Sequence, residues 1–335
     1  MTSGRARLSR RAAMATALAA LAMGPGAQPR AAAPMSRLGF LGPGTGDPIS
    51  LRTIIEPLRQ GLRDLGYVEE RNLVIDVRWA DARYERLPGL LDELLKLGPD
   101  VLMTSEAAPA MAARDAVKTL PIVAVAVDDP VGMGLAQSHA RPGGNITGIA
   151  AAFTGLLQKR LQLLKEVVPT AQRMALLYNP DSVKRESMVP SVARWKQGLG
   201  INVQFHPIRG PDDFEPAFAA LARERAEAVV VLADSMTWVH RAKLGELCTQ
   251  HRLPSVWGGG IFLDAGGLLS YQGDFPAMYR RAAVFVDKIL KGTPPGEIPF
   301  EQGTKLELVV NLKAAKALGI SIPRSVLVSA DEVIE

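Results

Sequence analysis

Short β-branched runs alternate with longer amphipathic segments along almost the whole chain, and partway through, the alternation starts again. Leu38–Leu41 is apolar and stops at Gly42-Pro43-Gly44, as a strand followed by a turn does. Leu51, Ile54, Ile55, Leu58, Leu62 and Leu65 then share one helical face, closed by Gly66. Strands are expected at Leu73–Val77, Val101–Met103 and Ile122–Val127, with helices around Leu87–Leu95 and Pro109–Val117 between them. A second series follows. Helices are expected at Leu156–Val168, Arg185–Leu199, Phe214–Leu221 (with Asp212 and Asp213 as cap candidates) and Val239–Leu247. They separate strands at Met174–Tyr178, Val203–Ile208, Val229–Leu232 and Ser255–Trp257. From Gly266 onward come a further strand, a helix over Met278–Leu290, a strand over Leu306–Val310 and a terminal helix. Continuous apolar strands between amphipathic helices need a parallel sheet covered on both faces. The expected class is therefore α/β, with two doubly wound parallel-sheet lobes.

The first 33 residues obey different rules. Arg5, Arg7, Arg10 and Arg11 precede the alanine-rich run Ala12–Met23, and Ala31-Ala32-Ala33 offers a small-residue cleavage site. A charged region, a short apolar region and such a site, in that order, read as a secretory signal peptide cut near Ala33. Ser9-Arg10-Arg11 is compatible with twin-arginine or general secretory export. No cysteine lies near the cut, so a lipid anchor is not expected, and a periplasmic location follows. Formal net charge is +5, but five arginines and no acids fall in residues 1–33. The 39 Lys and Arg less those five leave 34 basic against 34 acidic groups, which removes the case for nucleic acid.

Most chemistry-bearing motifs are missing. Gly42-Pro43-Gly44-Thr45-Gly46 stands where a dinucleotide fingerprint would, but Asp47 occupies the place of its third glycine. A ligand-facing turn is the favoured reading. The four histidines, His139, His206, His240 and His251, lack metal-ligand spacing, and the single Cys248 sits among Leu244, Leu247 and Leu253, as a buried apolar residue would. No G-x-S-x-G occurs. Neither catalytic residues, metal nor cofactor are expected. What does collect is polar groups at the carboxyl ends of strands: Ser105 and Glu106, Asp129, Asn179 with Asp181 and Ser182, Asp234 with Ser235, and Trp257. In open α/β sheets that is where the ligand crevice lies. Each residue taken singly is equally well a helix cap. The whole set, repeated in both halves, favours a binding cleft.

Several segments resemble a known family. Asp129-Pro130-Val131-Gly132 and Ala140-Arg141-Pro142-Gly143-Gly144-Asn145-Ile146-Thr147-Gly148 are similar to the ABC transporter substrate-binding proteins related to tryptophan-binding TrpX. So are Gly61–Glu69, Gly266–Tyr271, Leu306–Lys313 and the closing Ala330–Glu335. The resemblance implies a type I periplasmic binding protein with a three-crossing hinge near Ile149, Gly267 and Pro299. Residues 34–149 plus 267–298 would form one lobe, and 150–266 plus 299–335 the other. It implies ligand contacts from the turn holding Gly44 and Thr45, from Ser105, Asp129, Asn179 and Asp234, and from Tyr271. One departure stands out: where relatives carry a small Gly-Thr-Pro stretch, this chain has Thr104-Ser105-Glu106.

The function expected is a monomeric solute-binding component of an ABC importer. It would bind a small polar solute, an amino acid or related carboxylate being one candidate, and deliver it to permease subunits in the inner membrane. A periplasmic sensor presenting its ligand to a receptor is the alternative. An exported enzyme using a cleft carboxylate as acid or base is a third.

Overall fold

The computed structural model describes residues 35–335 except Ala152, Lys184 and Thr304. The expected signal peptide lies outside the described residues. Residues 35–335 form one compact unit. In chain order its strands are β1 (Ser36–Gly42), β2 (Leu73–Trp79), β3 (Val101–Ser105), β4 (Ile122–Val127), β5 (Ile146–Ala150), β6 (Arg173–Tyr178) and β7 (Asn202–Pro207). Then come β8 (Ala228–Val231), β9 (Ser255–Trp257), β10 (Leu269–Gly273), β11 (Glu301–Gln302), β12 (Leu306–Asn311) and β13 (Glu332–Ile334).

They build two sheets. The first has six strands in the order β11-β5-β4-β3-β1-β2, all parallel. The second has seven in the order β13-β12-β10-β9-β8-β6-β7, with β10 and β12 the antiparallel neighbours. Apolar side chains along each central strand supply two cores in turn, as the period of two requires. Val101, Met103, Val123 and Val125 face the helix Phe275–Leu290, whereas Leu102, Ile122 and Ala124 face the helix Leu87–Lys96. In the second sheet Met174, Leu176 and Val230 pack on one side, and Ala175, Leu177, Val229 and Val231 on the other. Burial of both faces is why these strands read as unbroken apolar runs.

Two of the expected crossings are displaced. Residues 269–273 form β10, which pairs with β9 and β12, so this stretch belongs to the second sheet and not to the first lobe. The chain crosses back between β10 and the helix Phe275–Leu290, beyond Gly267. That helix is tied to the first lobe by Tyr67 Oη donating to Asp287 Oδ1 at 3.1 Å and by an Arg280–Asp64 ion pair at 2.7 Å. β11 pairs with β5 in the first sheet, which moves the third crossing past Pro299 to the stretch between β11 and β12. The first crossing lies just after β5, close to Ile149. Asp213 is also not a side-chain cap. Its Oδ2 accepts from Arg209 N at 2.7 Å across the turn before the helix. Among the described residues no helix is long and apolar enough to cross a membrane.

Candidate ligand cleft between the two lobes

Both sheets point the carboxyl ends of their strands at one cavity of about 610 Å³. The first lobe lines it with Gly44, Ile54, Trp79, Ser105, Glu106 and Met111 among others, and the second with Leu157, Arg160, Asp181, Ser182, Asp234 and Ser235 among others. Aromatic, thioether and aliphatic groups make up most of its wall, including Trp79, Met111, Met133, Trp238 and Phe275.

The first-strand turn explains its own glycines. A Cβ on Gly42 would lie 2.4 Å from the Trp79 ring, and one on Gly46 would lie 3.1 Å from it, so the indole closes down on main chain that carries no side chains. Asp47 then caps the next helix, its Oδ1 accepting from Ile49 N at 3.0 Å and Ser50 N at 2.7 Å. Those helix N-terminal N–H groups are ones a phosphate would use, and Asp47 already occupies them, which counts against the nucleotide reading. Gly44 borders the cavity. Thr45 does not line it; its hydroxyl donates to Asp47 Oδ2 at 2.9 Å and supports the cap.

Among the described residues, side-chain hydrogen bonds cross the cleft at two places. Ser235 Oγ donates to Glu106 Oε1 at 2.8 Å, and Tyr84 Oη donates to Asp234 Oδ2 at 3.1 Å. Asp234 is 7% exposed and begins the helix Ser235–Val239 through a capping box: Thr237 N donates to its Oδ1 and Asp234 N donates to Thr237 Oγ1, both at 2.9 Å. Asn179 Nδ2 donates to the same carboxylate at 2.6 Å. Burial holds the Asp234 carboxyl above the usual range against those hydrogen bonds, and keeps the Tyr84 hydroxyl protonated. Glu106 is pushed up to about 8, first by burial and then by the charge of Asp234. Its backbone sits at φ 66°, ψ 179°, a region nearly closed to residues with a side chain. Glu106 ends the Thr104-Ser105-Glu106 stretch, where the resemblance leads one to expect Gly-Thr-Pro.

The other expected contacts divide. Ser105 is buried on the cavity wall and shares a hydrogen bond with Tyr279 of the returning helix. Asp129 borders the cavity but is exposed, and its Oδ1 accepts from Gly132 N at 2.9 Å as a turn cap. Asp181 and Ser182 stand at the rim, and Asp181 N donates to Asn179 Oδ1 at 3.0 Å. Asn179 itself is buried behind Asp234 instead of lining the space. Trp257 is 0% exposed and stacks on Phe262 at 5.0 Å in the core, its Nε1 donating to Ser255 Oγ. Tyr271 packs its side chain on the core of the second lobe and does not line the cavity, and its carbonyl accepts from Arg160 Nε. Thr45, Asn179, Trp257 and Tyr271 are thus supporting groups where ligand contacts were expected. Cys248 is buried, and burial pushes its thiol up to about 12.

The residue that sequence reasoning missed is Arg160. It lies on the helix Phe153–Val167, on the buried face between Leu157, Leu161 and Leu164, and is 1% exposed. A cation interrupting an apolar stripe is the signal that was available. Tyr84, Trp79 and Tyr279 were missed as well: Tyr84 meets Asp234 of the other lobe, whereas Trp79 and Tyr279 pack on the first-strand turn and Ser105 of their own lobe, pairings that leave no local trace.

A profile of the family described as ABC transporter substrate binding protein matches residues 47–334. The chain belongs to this family, and is a substrate-binding component of an ABC transporter rather than an enzyme. Among curated proteins it is similar to the tyrosine-binding protein of Clostridioides difficile (strain R20291), at 24% identity over 259 residues, or 77% of this chain and 74% of that one. Among solved structures it resembles a conserved domain protein from Vibrio cholerae O1 biovar El Tor, with TM-score 0.82, 26% identity and coverage of 89% of this chain and 99% of the other. A Streptococcus pneumonia ABC domain in complex with L-Trp gives TM-score 0.82 at 23% identity, covering 90% and 100%. The ligand-free, open structure of a Clostridium difficile substrate-binding protein with adhesive properties gives 0.66 at 20% identity, covering 90% and 99%. The fold is that of the type I periplasmic binding proteins.

Proposed function

We propose that the chain is an exported, periplasmic binding protein that encloses a solute with a bulky apolar body and polar ends, and hands it to a membrane permease. The observation that carries this reading is the cavity of about 610 Å³ walled by indole and thioether groups from both lobes, with hydrogen bonds joining the lobes beside it. Such a wall suits a larger apolar body better than a small sugar or a wholly polar solute. The tyrosine and tryptophan named for two similar proteins point the same way, towards aromatic amino acids and their relatives.

Closure would bend the chain at the three crossings near residues 150–153, 273–275 and 302–306. A solute that touches both lobes binds the closed state preferentially, which is what allows it to shift the population. Permease recognition of that closed state completes the transport cycle. The test is native mass spectrometry of the protein taken from the periplasm, followed by thermal-shift and small-angle scattering measurements with aromatic and aliphatic amino acids, sugars and polyamines. An aromatic-bodied compound should raise the melting temperature and reduce the radius of gyration. A response confined to sugars or polyamines would sink the assignment of solute class.

A further inference from the structure

We propose that Arg160 is the carboxylate anchor of the cleft, a deepening that rests on the solute-binding reading above. Among the described residues that line the cavity it is the sole basic one. Its guanidinium is held in place from behind, Nε donating to the Tyr271 carbonyl of β10 at 2.8 Å. Nη2, although buried, makes no hydrogen bond within the protein. Burial draws the group down to about 10, and the charge of Asp128 works against that shift, so it is cationic at neutral pH. A buried cation with an unsatisfied donor is a costly feature for a protein to keep unless something supplies the missing acceptor.

The absence of a side chain at position 258 lets the guanidinium sit where it does. A Cβ on Gly258 would stand 3.2 Å from Nη2 and 2.6 Å from the Ala233 Cβ, so a side chain there would crowd the guanidinium. The planar fork of arginine matches a carboxylate, which accepts parallel hydrogen bonds from it, and an ammonium in the same place would not offer that match. Among the described residues, the other charged side chains that line the cavity, Glu106, Asp128, Asp129, Asp181 and Asp234, are acids. None of them brings positive charge to a solute carboxylate, which leaves Arg160 to supply it. The strand whose carbonyl orients Arg160 runs directly into the second crossing.

The experiment measures binding of L-tryptophan, L-tyrosine, indole-3-propionate and 3-phenylpropionate by calorimetry, each beside its methyl ester. In the unaltered protein the acids should bind at least about 30-fold more tightly than the esters, since an ester leaves the buried cation unpaired. Arg160→Met should bring the acids down to the ester level while leaving ester affinity unchanged, and Arg160→Lys should restore part of the preference. Esters binding as tightly as acids to the unaltered protein would overturn the anchor while leaving the solute-binding function intact. So would an acid preference that survives in Arg160→Met. Failure of every compound, acid and ester, would count against both the anchor and the aromatic solute class.

Discussion

Two polar clusters sit around one cavity and are treated in opposite ways. In the first, Asp234 takes hydrogen bonds from Thr237, Asn179 and, across the cleft, Tyr84, while Ser235 serves Glu106. Every carboxylate there is answered by the protein itself, and the answers come from both lobes. In the second, Arg160 is as deeply buried but is held by one backbone carbonyl and keeps a donor unused. The difference separates two jobs. Groups that close the lobes on each other are satisfied without a solute, whereas the group left for the solute is contributed by one lobe alone.

Substitutions at the two clusters should therefore have stability effects of opposite sign. Asp234→Ala removes a helix cap and leaves Asn179, Tyr84 and Thr237 with buried, unpaired donors. The expected loss is about 3 kcal/mol by urea unfolding. A loss below about 1 kcal/mol, less than such a cap and its donors should cost, would mean that the capping network is slack. Arg160→Met, equally buried, should be neutral or stabilising by up to about 2 kcal/mol, because a buried charge with an unused donor gives way to apolar volume. If it destabilises as much as the Asp234 variant, the contrast between the clusters fails and Arg160 is a structural residue.

A smaller effect should appear with pH. Glu106 holds its proton to about 8 in the folded protein, against 4.5 for an ordinary glutamate. The unfolded chain releases that proton first, so this group's contribution is fully present in acid and is lost as pH rises through 4.5 to about 8. Asp234, also raised by burial, acts in the same direction, whereas His206 and His240, lowered by burial, act in the opposite one. The difference between wild type and Glu106→Gln isolates the term. From pH 5 to pH 8 the wild-type melting temperature should fall relative to the variant by about 3 °C. Parallel curves for the two proteins would show that Glu106 titrates normally and that its cross-lobe bond is weak.

The smallest expected change is at Asp129, whose exposed carboxylate caps the Gly132 turn. Asp129→Ala should cost about 0.5–1 kcal/mol of stability, as loss of a cap does, with solute affinity unchanged. Lost affinity at an unchanged melting temperature would instead enlarge the site to include this residue.

Much of the fold was legible because local composition dictates it. Ile122–Val127 reads as a strand buried on both faces, and it is one. The rule that crevices open at the carboxyl ends of strands led to Ser105, Glu106, Asp234 and Ser235, all of which border the cavity. The same rule led to Trp257 and could not reject it. Whether a strand-end residue faces cleft or core depends on pairing register and on where the next turn goes, and here the indole stacks on Phe262.

By itself, then, the sequence determined a repeated strand–helix alternation, two doubly wound lobes and the neighbourhood of the cleft, since hydrophobic period and strand polarity are local properties. Only the tertiary structure decided that Leu269–Gly273 pairs in the second sheet, because sheet membership is a hydrogen-bonding choice made with strands distant in the chain. It alone decided that Asp234 faces Tyr84, 150 positions away, and that Arg160 turns inward with a donor unused. Partners brought together by closure leave no periodic trace in either segment. A buried charge is recognisable as such only once the groups around it have been placed.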